Sequence, residues 1–282
     1  MRPARTSTTS SPPRAPFVRL VTAAGRTVRV AVRPGTDDSV PPLLLMNGIG
    51  ASLEVLQPFV DALHPRRTVL RFDVPGVGGS PRPVVPYHLS TFSPVLAGML
   101  SRLGHDDAVD VLGLSWGGGL AQHFAAQHRN RCRRLVLAAT ATGSLMVPAN
   151  PRVLARMLTP RRHRDPDYAR SIAGEIYGGT MRTHPERAAQ ALHAETRLGP
   201  KRGYYYQLAA STGWSSLPFL RLIRQPTLIV AGDDDPIVPV VNARIMARLL
   251  PDARLHVYEG GHIALVTEAK ELAPVIEKFL DG

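Results

Sequence analysis

The chain has 282 residues, 44% of them hydrophobic and 20% charged, with a formal net charge of +12. That length suits one large α/β domain with an insertion or two small domains, and the apolar content excludes global disorder. No apolar run approaches the roughly 18–20 residues of a membrane span, and the excess charge is scattered arginine without a helix-turn-helix, zinc-finger or aromatic-basic motif, which excludes a nucleic-acid partner. Residues 1–16 are rich in Arg, Ser, Thr and Pro and have no apolar centre. They read as a disordered basic tail and not as a secretory signal, so the cytoplasm is the expected compartment. A single cysteine, Cys132, allows no internal disulfide and agrees with a reducing environment.

Phe17 to Thr22 and Thr27 to Val32 are β-rich runs around Gly25 and predict an opening hairpin. Leu43 to Met46 reads as a buried strand ending at Asn47-Gly48-Ile49-Gly50, and Leu53 to Leu63 as a helix with one apolar face. Val69 to Phe72 is the next strand. Its glycine-rich sequel, Asp73 to Ser80, is followed by Pro81, Pro83 and Pro86, so no helix opens there and a dinucleotide fingerprint is excluded. Ser93 with Pro94 predicts a helix start and Gly104 its stop. Val109 to Leu114 predicts a strand, Leu120 to Gln127 a helix, and Arg134 to Ala139 another strand. From Thr142 to Arg224 the alternation stops, leaving helical patterns, prolines and the aromatics Tyr168, Tyr177, Tyr204, Tyr205, Tyr206, Trp214 and Phe219. A segment this long has structure of its own and is expected to form a helical cap, with about half of those rings in the cap's own core. Thr227 to Ala231 and Arg254 to Tyr258 resume the sheet, and Leu272 to Leu280 closes the chain as a helix. The class is α/β, with core at 17–141 and 225–282 and cap at 142–224. Ligands in such sheets bind at the carboxyl ends of the strands, where every glycine-rich break falls.

One break carries chemistry. Gly113-x-Ser115-x-Gly117 sits between a strand and a helix, the context of a nucleophile elbow. A plain glycine-rich turn has the same pattern, so the partners matter. A serine hydroxyl needs a base, and the base an orienting acid. His262, in Glu259-Gly260-Gly261-His262 after the last strand, supplies the base. Gly232-Asp233-Asp234-Asp235-Pro236 offers three acids, of which Asp235, just before the Pro-Ile-Val-Pro return, is the expected one. No Asp or Glu occurs from Trp116 to Arg164, so the alternative position for the acid, after the preceding strand, is empty. Nucleophile, acid, base is the order of the α/β-hydrolase fold. The backbone N–H groups of Trp116 and Ile49 are the expected oxyanion donors.

Leu45 to Gly50, Phe72 to Ser80, Ser115 to Gly118, Ala231 to Ile237, Val136 to Ala141, Ile176 to Gly179 and Gly203 to Tyr205 together resemble the intracellular medium-chain-length poly(3-hydroxyalkanoate) depolymerases. The likeness runs from about Val40 to the end, cap included; the N-terminal tail departs from it. It implies an α/β-hydrolase with a mostly parallel eight-stranded sheet and a lid. It also implies a Ser–His–Asp esterase without metal or cofactor, acting on aliphatic polyesters of medium-chain 3-hydroxy acids. The expected partners are a hydrophobic ester or polyester and a polymer granule surface. Asn47, Gly48, Tyr204 and Tyr205, in the more specific stretches, are then expected to touch substrate. The same triad also suits a small hydrophobic ester, a carbon–carbon bond flanked by carbonyls, or a ring-closing acyl transfer. A non-catalytic ligand-binding protein on this scaffold is disfavoured by the intact Ser115, Asp235 and His262. A carboxylate-nucleophile dehalogenase or epoxide hydrolase is excluded by Ser115.

Overall fold

A computed structural model describes residues 15–193 and 196–282, so the expected tail lies outside the described residues apart from its last two positions. The core elements before the insertion are β1 (Phe17–Ala23), β2 (Arg26–Arg33), β3 (Leu43–Met46), α1 (Gln57–Ala62), β4 (Val69–Phe72), α2 (Leu89–Arg102), β5 (Val109–Leu114), α3 (Trp116–Gln127) and β6 (Cys132–Ala138). The insertion carries α4 (Pro151–Met157), α5 (Pro166–Tyr177), α6 (Glu186–His193) and α7 (Lys201–Ser211). The core resumes with β7 (Thr227–Gly232), α8 (Val241–Leu249), β8 (Ala253–Tyr258), α9 (Ala264–Thr267) and α10 (Ala269–Asp281).

Among the described residues the eight strands form one sheet in the order β1-β2-β4-β3-β5-β6-β7-β8. The opening hairpin pairs antiparallel with itself and with β4, and every other pairing is parallel. The inner parallel strands β3, β5 and β7 are buried on both faces, as their continuous apolar runs require, whereas the edge strand β8 is partly exposed. Leu96, Phe124 and Met246 of α2, α3 and α8 pack on one face, and Phe59, Val60, Ile276 and Phe279 of α1 and α10 on the other. Cys132 is buried at the start of β6, and burial raises its thiol pKa, so it is no ready nucleophile.

Several helix readings change: α3 and α10 begin four and three residues before the expected starts, and α8 is unannounced in the sequence. Leu53 to Leu63 splits into a 3-10 turn, Leu53–Leu56, running into α1. α2 begins four residues before Ser93, with Pro94 inside it. His88, not a serine, caps the helix: its Nδ1 accepts from the Ser90 N–H at 3.3 Å, and Thr91 Oγ1 accepts from the His88 N–H at 3.0 Å. A histidine cap leaves no Ser/Thr/Asp/Asn signal at the boundary, and the Ser-Pro pair downstream mimics one.

The insertion is joined to the core at the loops after β7 and β8. A Cβ on Gly178 would meet the Asp234 carbonyl oxygen at 1.9 Å, and one on Gly261 the Tyr177 carbonyl oxygen at 1.9 Å. Across this seam the His262 N–H donates to the Tyr177 carbonyl at 2.7 Å. Ile172, Ile176 and Met181 of the insertion share a cluster with Ile237 and Ile263 from the same core loops. The Ile176-Tyr177-Gly178-Gly179 stretch is therefore where the insertion meets the loops at the carboxyl edge of the sheet. The aromatics divide: Tyr177 joins that cluster, whereas Trp214 packs into the main core beside α2 and α3. No helix among the described residues is long and apolar enough to cross a membrane.

Candidate active site

β5 ends at Leu114 and α3 starts at Trp116, so Ser115 alone turns the chain. Its φ of 53° and ψ of −116° are strained for a residue with a Cβ. Its neighbours are small of necessity. A Cβ on Gly117 would lie 2.1 Å from the Met46 carbonyl oxygen, and one on Gly113 would lie 2.4 Å from that of Gly117. The elbow is pinned by Ser115 N–H donating to Ala138 O at 2.9 Å and by Thr140 Oγ1 donating to Ser115 O at 2.7 Å.

The loops after β7 and β8 meet above this serine. Ser115 Oγ is 2.9 Å from His262 Nε2, and His262 Nδ1 is 2.7 Å from Asp235 Oδ2. The carboxylate can only accept, so Nδ1 carries the imidazole proton and the Nε2 lone pair faces the hydroxyl. Asp235 Oδ1 accepts from the Ile237 and Val238 N–H groups at 2.9 Å each, which aims Oδ2 at the histidine. Its two neighbours are engaged elsewhere. Asp234 takes Arg182 bidentately at 2.6 and 2.7 Å and the Gly179 N–H at 2.7 Å, and the Arg182 hydrogen bonds hold its carboxyl below the usual range. Asp233 accepts from the Gly260 N–H at 3.1 Å.

The loop after β3 passes beside Ser115: a Cβ on Gly48 would lie 3.7 Å from Ser115 Cβ. Asn47 is spent on this loop, its Oδ1 accepting from the Gly48 N–H and its Nδ2 donating to Ser52 O, each at 2.8 Å. The Gly50 N–H donates to Gln207 Oε1 at 2.7 Å, and Trp116 Nε1 donates to the Gln207 carbonyl at 2.9 Å. Fully buried Gln207 on α7 thus holds both segments that carry the expected oxyanion donors, Ile49 N–H and Trp116 N–H. Trp116 is the first residue of α3, so its N–H has no acceptor within the helix. From below, Asp73 accepts from the Leu53 and Gly79 N–H groups at 2.7 Å each and pairs with Arg29, bracing the loops after β3 and β4 against each other. Burial pushes the Asp73 carboxyl up to about 6 despite that arginine.

Ser115 lies where two cavities meet. One, about 580 Å³, is lined by Leu89, Trp116, Met146, Trp214 and Val238. The other, about 420 Å³, is lined by Ile49, Met157, Arg162, Tyr177, Ile237 and His262. Gly48 and Asn47 line the second. Tyr204 and Tyr205 line neither. Buried Tyr204 accepts from Arg162 Nη1 at 2.9 Å and donates to the Met157 carbonyl, while Tyr205 is 45% exposed on the outside of the cap.

The chain resembles known proteins. A family model described as the alpha/beta hydrolase fold matches residues 41–269. A poly(3-hydroxyalkanoate) depolymerase from Ectopseudomonas oleovorans is 49% identical over 267 residues, 94% of this chain and 93% of that one. The chain belongs to the poly(3-hydroxyalkanoate) depolymerase family of α/β-hydrolases. More distant kin include a 2-hydroxymuconate semialdehyde hydrolase from Pseudomonas putida, 27% identical over 85% of this chain and 86% of that one. The enol-lactonase structure from Burkholderia xenovorans LB400 shares the fold, with a TM-score of 0.78 at 23% identity over 94% of this chain and all of that one.

In this depolymerase-family chain, sequence reasoning missed the parts of the site that the insertion contributes. Gln207 and Arg162 stand on a helix and a 3-10 turn without a motif, while Tyr177 and Trp214 are visible in the sequence only as aromatics of the insertion, with no role attached. Helical spacing does separate Tyr204 from Tyr205, since adjacent residues point about 100° apart. His163, buried beside the Gly50 loop, is held well below its ordinary pKa by burial and then by Arg162. Below about pH 6.5 the unfolded chain protonates this histidine and the folded chain does not, so stability present above that pH is lost as pH falls. Asp73 acts with the opposite sign, favouring the fold as pH drops through 6, but it is common to any His163 variant. The melting temperature of His163→Gln should therefore fall less between pH 7.5 and 5.5 than that of the parent, as thermal scans across that range can check.

Proposed function

We propose that this protein is a serine hydrolase that cleaves carboxylic esters through an acyl-enzyme. Its proposed substrates are aliphatic polyesters or oligomers of medium-chain 3-hydroxy acids, in the cytoplasm at a polymer granule surface. One observation carries the reading: an unbroken relay from Asp235 through His262 to a strained serine at the junction of two largely apolar cavities. Ser115 Oγ attacks the ester carbonyl as His262 Nε2 takes its proton, and Asp235 stabilises the imidazolium. The Ile49 and Trp116 N–H groups bind the oxyanion. His262 then hands the proton to the leaving alkoxide, and a water activated by the same histidine releases the acid. The 49%-identical depolymerase supports the polyester class. The exposed cap residues Leu145, Leu154, Leu158 and Tyr205 suit contact with an apolar polymer.

A substrate panel tests this. The cavity lined by Leu89, Met146 and Trp214 gives an acyl chain apolar surface to cover, and each CH₂ buried adds about 0.8 kcal/mol at best, roughly a fourfold gain. On p-nitrophenyl esters kcat/KM should rise from acetate towards octanoate and then level off as the cavity fills. A medium-chain polyester emulsion should clear and poly(3-hydroxybutyrate) should resist. Acetate as the best ester, with neither polymer attacked, would refute the polyester assignment.

A further inference from the structure

We infer that Arg162 and Tyr177 form a carboxylate-binding subsite in the leaving-group cavity, which seats the free carboxylate of a chain's terminal 3-hydroxy acid unit and directs cleavage to that end. The inference rests on the ester-hydrolase reading above and adds to it the direction of attack.

The two cavities differ in chemistry. His262 lines the one bounded by Ile49 and Ile237, and does not line the other. The leaving alkoxide must receive its proton from His262, so it departs into the cavity that histidine lines. In a polyester of 3-hydroxy acids that alkoxide belongs to the downstream unit. When the downstream unit is the last one, it carries a free carboxylate close to the scissile oxygen.

That cavity holds a buried positive charge. Arg162 is 2% exposed, and among the described residues no carboxylate lies within ion-pair distance of it. A buried cation without a counter-charge is costly, and here Tyr204 Oη accepts from just one of its amino groups at 2.9 Å. Guanidinium offers five N–H donors in a fork that fits a carboxylate. Tyr177, also 2% exposed, lines the same cavity with a buried hydroxyl beside the Arg162 guanidinium, which can only donate to it, so its own proton has no acceptor among the described residues. A cation and a spare donor in a largely apolar cavity match an anionic oxygen pair on an aliphatic chain. They do not match the uncharged middle of a polyester.

The test compares two dimers of 3-hydroxyoctanoic acid, one with its terminal carboxylate free and one capped as the methyl ester. The purified parent should cleave the free acid with kcat/KM at least tenfold above the capped dimer. Arg162→Gln should lose on the order of 100-fold on the free acid, as truncating one side of a buried charge pair does, and so erase the preference. Arg162→Lys should recover part of it, and Tyr177→Phe should raise KM for the free acid several-fold with kcat nearly unchanged. Should the glutamine variant not fold, inhibition of the parent decides: 3-hydroxyoctanoate should compete far better than its methyl ester. A parent that hydrolyses p-nitrophenyl octanoate yet treats both dimers and both inhibitors alike overturns the subsite alone. A folded parent that cleaves none of these esters overturns the hydrolase reading and the subsite with it.

Discussion

Ser115→Ala should lower ester turnover by roughly 10⁶-fold, the scale of loss when a triad serine is removed elsewhere, and should abolish labelling by a fluorophosphonate probe. The loss is this large because, among the described residues, Ser115 is the hydroxyl that hydrogen-bonds His262 Nε2. His262 Nε2 has Ser115 Oγ as its partner at 2.9 Å, and the elbow geometry delivers that one atom to the junction of the two cavities. The substitution should not unfold the protein. It keeps the Cβ and the strained φ of 53°, and it leaves the Ser115 N–H bond to Ala138 O intact. The strain gives a second readout. Ser115→Gly should be equally inactive but should melt above Ser115→Ala, since glycine tolerates a positive φ that costs a side-chain-bearing residue about 1–3 kcal/mol. Labelling on another serine, or activity surviving in both variants, would show that the nucleophile lies elsewhere.

The sheet was legible because each strand end is punctuated. Leu43 to Met46 and Val69 to Phe72 stand in the structure with the bounds the sequence suggests, and the insertion falls between β6 and β7 as the loss of alternation indicates. Ser115, Asp235 and His262 were legible for a related reason. Each sits in a loop at the carboxyl edge of the sheet, and fold order alone brings those loops together. The stretch Arg161-Arg162-His163-Arg164 was not legible. By composition it is a surface charge run, and Arg161 is indeed exposed, yet a 3-10 turn carries Arg162 and His163 inward. A 3-10 turn of four residues is too short to leave a periodic signature. Gln207 is hidden for another reason. Its carbonyl and its side chain bond Trp116 and Gly50 from more than 90 residues away in sequence, contacts that no local pattern encodes. The pairing of Tyr204 with Arg162 is likewise a tertiary fact, written in no local pattern.

Among the three adjacent aspartates, Asp235→Asn should cost on the order of 10⁴ in turnover, whereas Asp233→Asn and Asp234→Asn should each keep most activity. Geometry gives the reason. The Ile237 and Val238 amides both point at Asp235 Oδ1 and require an acceptor there. An asparagine must therefore place its oxygen at those amides and its NH₂ toward His262 Nδ1. That group donates, so the imidazole must accept at Nδ1 and carry its proton on Nε2, where it can no longer receive the serine's. The fault lies in the tautomer and not in the fold, so the melting temperature should move far less than the rate. Asp234→Asn inverts this pattern. It weakens a half-exposed pair with Arg182, of a kind worth about 0–1 kcal/mol, at the seam where α5 meets the loop after β7. Thermal stability should drop slightly and turnover should hold. Kinetics and melting curves on the three variants separate these outcomes. An inactive Asp234→Asn beside an active Asp235→Asn would move the acid by one residue, and would mean that the loop after β7 rearranges when substrate binds.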